Sequence, residues 1–95
     1  LIIALRRAIA IAQTDGPERG IEEIHAIPDQ ERLTSYAFCH AALGEFELRS
    51  GKQAKARQHF EIALKLARNP MERTFLHCRV EVCDRVGQMH HTEWK

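Results

Sequence analysis

Apolar residues return at spacings of three and four along almost the whole chain, and glycine and proline break that pattern into segments. The first segment, Leu1 to Gln13, predicts a helix that is apolar nearly all round. Leu1, Ile2, Ile3, Leu5, Ala8, Ile9 and Ile11 leave only Arg6, Arg7 and Gln13 polar. A helix apolar on every face is normally covered on every face, and one following helix is too little cover. Leu1, Ile2, Leu5 and Ile9 are therefore candidates for an interface with an upstream segment or a partner. The chain also starts without Met, so the expectation is that Leu1 lies inside a longer natural chain.

Thr14-Asp15-Gly16-Pro17 predicts a turn, with Gly16 free to take unusual dihedrals and Pro17 suited to the first position of a helix. Ile21, Ile24 and Ile27 then keep helical spacing, so Pro17 to Ala26 is a short second helix. Gly20 stands where a larger residue would hold the first helix away. Pro28 ends the segment, because a residue before proline avoids helical dihedrals. Asp29 to Leu33 reads as a polar connection with room for one helical turn.

Thr34 is the expected N-cap of a third helix over Ser35 to Arg49. Tyr36, Cys39 or His40, Leu43 and Phe46 form one stripe on it. Phe38, Ala41, Glu45, Leu48 and Arg49 form another. Gly51 is a natural C-terminal cap. The fourth helix, Gln53 to Arg68, buries Ala56, Phe60, Ala63, Leu64 and Ala67 and places Glu61 four residues before Lys65 as a favourable pair. Asn69-Pro70-Met71-Glu72 starts a fifth helix. Asn69 caps it, Pro70 takes its first position, and Glu72 reaches back to the N–H of the cap. Phe75, Leu76, Val80, Val82, Cys83 and Val86 are its apolar residues, and Gly87 ends it. The pattern thus divides the chain into a helical domain, 1–87, and a polar tail, 88–95, from which Trp94 could dock back.

Leu43-Gly44 followed by Ala56-x3-Phe60, with Pro70 closing the stretch, resembles a tetratricopeptide (TPR) unit. His40 stands where that pattern has Trp, and Glu47 where it has Tyr. Leu1 to Ile27 looks like a second, weaker copy. The fold this implies is all-α: TPR-like antiparallel helix pairs, about five helices in all, with the fifth capping the last pair.

A narrower resemblance extends over about Leu1 to Val86. It rests on Leu5-Arg6-Arg7-Ala8-Ile9-Ala10-Ile11-Ala12, Asp15-Gly16-Pro17 with Gly20, Tyr36, His40-Ala41 and Leu48-Arg49-Ser50-Gly51. Ala56-Arg57 with Phe60, Ala63-Leu64, the run Asn69 to Leu76 and Arg79 complete it. These are similar to the TPR-like C-terminal domain of bacterial extracytoplasmic-function (ECF) RNA polymerase sigma factors. The family usually has Asn at the position of Arg6 and a hydrophobic residue at that of Glu47. The resemblance implies a regulatory or assembly module that contacts upstream sigma domains or core polymerase. The alternative is a free-standing TPR adaptor that binds a peptide segment of another protein.

Composition narrows the chemistry. The 95 residues suit one small domain, 28% are charged, and the formal net charge is only +1. That gives no general case for nucleic acid or membrane. Lys52, Lys55, Arg57, Lys65 and Arg68 make the fourth helix basic, but a solvated face interrupted by Glu61 accounts for it, and direct DNA contact is not expected. Three cysteines without framework spacing fit a reduced, cytoplasmic protein, and no apolar run is long enough to span a membrane.

Cys39-His40 and His77-Cys78 suggest zinc ligands. Neighbours on a helix point about 100° apart, however, so neither dipeptide chelates, and no metal or other cofactor is expected. No phosphate loop or nucleophile motif is present, so neither catalysis nor a small-molecule substrate is expected. In a TPR stack the first helix of each pair lines a concave face. Phe38, Glu45, Leu48 and Arg49 are accordingly the candidate partner-binding groove, and self-association is expected if the first helix stays uncovered.

Overall fold

Six helices succeed one another in a computed structural model, which describes residues 2–92, with side chains from residue 3 to residue 85. They are α1 (Ile2–Asp15), α2 (Pro17–His25), α3 (Gln30–Leu33), α4 (Ala37–Arg49), α5 (Gln53–Leu66) and α6 (Pro70–Thr92). Leu1, Trp94 and the side chains of Ile2, Val86, His90 and His91 lie outside the described residues. The all-α expectation holds. The additional helix is the single turn α3 in the Asp29–Leu33 connection.

Consecutive helices pair: α1 packs on α2, α4 on α5 and α5 on α6, while α2 reaches forward to α4. The molecule measures 45 × 32 × 18 Å, two helices deep in its thinnest direction. Two clusters of buried side chains form the core. The first joins Leu5, Ala8 and Ala12 of α1 to Ile24, Leu33, Cys39, Leu43 and Phe46. The second joins Ala56, Phe60 and Ala63 of α5 to Leu76 and Cys83 of α6. Between the clusters lies α4, whose buried residues occupy most of its circumference. That is why two separate apolar stripes are visible along it.

Small residues set the helix spacing. A Cβ on Gly20 would stand 2.5 Å from Cβ of Ala12 and 3.0 Å from the Phe46 ring, so hydrogen is the only substituent that fits. A Cβ on Gly44 would stand 2.7 Å from the fully buried Phe60 ring. Phe60 therefore fills the space that Gly44 vacates, and this wedge defines how α4 and α5 cross.

The helix ends follow their local chemistry with three differences. Gly16 and Gly51 take positive φ, +102° and +84°. At Gly51 the N–H bonds back to Leu48 O at 3.1 Å and that of Lys52 to Glu47 O at 2.9 Å, the paired bonds of a Schellman cap. Asn69 Oδ1 accepts from the N–H of Glu72 at 2.8 Å, as expected of the cap. The Glu72 carboxylate, however, accepts from the N–H of Arg68 at 3.3 Å, one residue before the cap.

Thr34 does not cap α4. Its hydroxyl donates to Gln30 O at 2.9 Å and is spent on the end of α3, so Tyr36, extended, precedes α4. The third difference is at Gly87, which α6 passes without ending; glycine inside a helix costs only about 1 kcal/mol relative to alanine.

Asp29 to Leu33 is more than a polar connection. Leu33 is fully buried and pins α3 to the core. Gln30 Nε2 donates to Ile24 O at 2.9 Å and Ile27 O at 2.6 Å, tying α3 to the end of α2 and to the segment that follows it. Glu61 does not pair with Lys65. Arg57 lies 3.5 Å from Glu61 and donates to Asp84 of α6 at 2.9 Å. The tertiary partner on α6 holds this guanidinium in place, and Glu61 joins it.

Candidate protein-binding groove

Phe38 starts the site. It lies one residue inside α4, is 51% exposed, and stands between two cavities. The smaller part of the groove, about 300 Å³, is lined by Ile9 of α1, by Ala41, Ala42, Glu45, Phe46 and Arg49 of α4, and by Phe75 of α6. Helical spacing puts Phe38, Ala41, Ala42, Glu45 and Arg49 on one face of α4, with alanines as the floor and longer side chains as the rims. Beyond Phe38 a wider cavity of about 620 Å³ runs past Tyr36 to Leu5, Arg6, Leu66, Arg68 and Glu72.

Three of the four predicted groove residues, Phe38, Glu45 and Arg49, therefore do line one groove. Leu48 does not. It is half-buried against the second core cluster beside Ala37, Ala41 and Leu64, because a step of three from Glu45 turns it toward α5. Two residues join from elsewhere. Ile9 was expected at an interface with an upstream segment, yet it forms the α1 wall of the groove. Phe75 was expected among the apolar residues of the fifth helix and is 53% exposed on the α6 wall.

Leu5, expected at an interface with an upstream segment or a partner, lies in the core. It is 1% exposed and packs in the first core cluster. The cover that α1 requires comes from α2 and α4 on one face, while Ile3 and Ala10 remain exposed.

Electrostatics shape the rims. Glu45 is tied to Arg79 of α6, whose Nη2 donates to Oε1 at 2.8 Å. Arg79 Nε stands 2.5 Å from Oε2 but off the hydrogen-bond line, so the Nη2 bond and the charges hold the pair. The same guanidinium lies 5.8 Å from the Phe60 ring centroid, so one arginine braces the α4–α6 rim and covers the core. Arg6, Arg49 and Arg68 are exposed and have no ion-pair partner among the described residues.

A second polar cluster lies at the α4–α5 contact. His40 and Glu47 are both buried. His40 Nε2 is 3.0 Å from Thr34 O, the distance of a donated bond, and its Nδ1 is 3.5 Å from Nδ1 of His59. The two rings stack at 5.8 Å between centroids. Burial and the neighbouring His40 push the His59 pKa down, opposed by the charge of Glu47.

Cys39 and Cys83 are buried and Cys78 is exposed. Burial pushes the Cys39 and Cys83 thiols up, as befits small core side chains. Among the described residues no group of three or more His, Cys, Asp or Glu could hold a metal ion. No helix among them is long and apolar enough to cross a membrane.

No family model and no solved structure matches the chain. An uncharacterised protein of Rhizobium meliloti (strain 1021), designated R00370, is 29% identical over 80 residues, which is 84% of this chain. The match covers 18% of that protein's length, so the chain spans less than a fifth of the relative.

Proposed function

We propose that the chain is a TPR-like protein-interaction module, the C-terminal domain of an ECF-type RNA polymerase sigma factor. In this reading it acts in transcription initiation by contacting upstream sigma domains or core polymerase. The groove is the observation that carries the interaction reading. Its walls come from α1, α4 and α6, the first, third and fifth of the long helices, as alternating helices line the concave face of a repeat stack. Two phenylalanines stay half exposed there. Covering roughly 100 Å² of each at about 25 cal/mol per Å² is worth about 2–3 kcal/mol apiece, enough for two anchor residues.

The link to sigma factors rests on the sequence resemblance. Its more specific pieces perform local structural tasks here: Asp15-Gly16-Pro17 turns the chain at a positive φ, and Asn69 with Glu72 starts α6. A match to under a fifth of a longer relative suits a module within a longer protein.

The test is fluorescence anisotropy of the labelled chain against core polymerase and against the promoter-binding domains of an ECF sigma factor. Saturable binding to either, weakened by Phe38→Ser, is expected. Absence of binding to both would refute the transcription reading. The same groove favours a second reading, the free-standing adaptor, for which binding to an unrelated peptide alone would speak.

A further inference from the structure

We infer that the groove around Phe38 takes a partner segment whose apolar anchors are flanked by carboxylates. This rests on reading the chain as a protein-interaction module. The two cavities meet at Phe38 and together expose Tyr36, Phe38 and Phe75 above an alanine floor. Met71, one turn before Phe75 on α6, is 84% exposed and extends that apolar surface. An occupant therefore needs apolar side chains.

The rim charges decide the rest. Arg6 and Arg68 line the larger cavity and Arg49 the smaller one, all exposed and without an ion-pair partner among the described residues. Of the two acids along the groove only Glu45 has an ion-pair partner among the described residues. Glu45 is neutralised by Arg79, and Glu72 accepts a backbone N–H at the start of α6. Available charge on the groove is thus predominantly positive, although the chain as a whole is close to neutral. Arginine forks are well matched to carboxylates. A basic segment would meet three guanidinium groups without an ion-pair partner among the described residues, against the one such carboxylate of Glu72.

The experiment uses two short fluorescein-labelled peptides with the same Leu and Phe anchors, one with Glu and one with Lys at every flanking position. Anisotropy is read at low and high salt. The 95-residue chain should bind the Glu peptide at least about tenfold more tightly than the Lys peptide, with the gap narrowing as salt rises. Phe38→Ser should weaken the Glu peptide about tenfold, and the double variant Arg49→Glu/Arg68→Glu should reverse the preference. All three positions are exposed, and circular dichroism confirms that each variant is folded. Equal affinities, a preference for the Lys peptide, no binding of either, or a Glu-peptide affinity indifferent to Phe38 would each overturn the inference. Failure here with retained binding to sigma domains or polymerase leaves the broader reading standing. Tight Glu-peptide binding without those partners refutes the transcription reading alone.

Discussion

Replacing Gly20 with alanine tests the packing on which α1 and α2 depend. The added methyl would lie 2.5 Å from Cβ of Ala12 and 3.0 and 3.3 Å from two carbons of the Phe46 ring. Ala12 has no rotamer through which to retreat and is fully buried, so the two backbones must separate. Overpacking of this kind costs about 1–3 kcal/mol. Alanine's better helix propensity returns about 0.5–1 kcal/mol. The net loss is therefore about 0–2.5 kcal/mol, or a fall in Tm of up to roughly 20 °C for a domain of this size.

The double variant Ala12→Gly/Gly20→Ala separates contact from propensity. Ala12→Gly alone loses about 1 kcal/mol of helix propensity and about 0.8 kcal/mol of methyl burial. If the contact is real, adding Gly20→Ala to it costs almost nothing more, because only the Phe46 ring remains close. The cycle then shows a coupling of about 1 kcal/mol or more. Urea titration followed by far-UV circular dichroism measures all four proteins. A Gly20→Ala variant more stable than the parent by about 0.5–1 kcal/mol would refute the close approach, since propensity would then act unopposed.

Phe60→Ala empties the wedge beside Gly44 and should cost about 3–5 kcal/mol, a large share of a small domain's total stability; the urea midpoint and hydrogen exchange in α5 report it. Asn69→Ala removes the acceptor for the Glu72 N–H and should cost about 1 kcal/mol, with faster amide exchange confined to the first turn of α6. The His59 pKa lies below the 6.5 it has when free, through burial first and then the nearby His40, with Glu47 opposing and His25 and Lys55 adding to the depression. Between those two values the unfolded chain binds more protons, so stability is fully present above about pH 6.5 and is lost as pH falls through the depressed pKa. The urea midpoint should drop on acidification and drop less in His59→Gln; a midpoint that rises at acid pH, or an identical profile in the variant, contradicts this.

What the sequence made legible is local. Gly16, Gly51 and Asn69 announce helix ends because their conformational freedom or side-chain oxygen acts within a few residues. Ala56, Phe60 and Ala63 are visible as a buried face because helical periodicity alone places them together, and all three are fully buried. The misses concern partners distant in sequence. Thr34 could cap α4 on local rules, but α3 uses its hydroxyl first. Leu33 sits in a polar segment, and only tertiary packing reveals it as core. In the groove, Phe38, Glu45 and Arg49 share a helix face and could be grouped in advance. Ile9 and Phe75 arrive from helices dozens of residues away. The available signal for Phe75 was its place beside Leu76: adjacent residues on a helix point about 100° apart, and Leu76 is the buried one.

Two buried polar positions bear on how far the fold and the proposed binding surface can be varied separately. His40 and Glu47 are both buried, and His59 lies close to His40. Such a polar cluster adds little net stability, because desolvating its members offsets their mutual attraction. The α4–α5 pair must then be held chiefly by the Phe60–Gly44 wedge and the apolar cluster around it. Phe38, Arg49 and Phe75 belong to neither core cluster. Polar substitutions at these three should therefore change binding while leaving the unfolding free energy from urea titration within about 0.5 kcal/mol of the parent, whereas a change at Gly44 or Phe60 should remove binding only by unfolding the walls that hold the groove open.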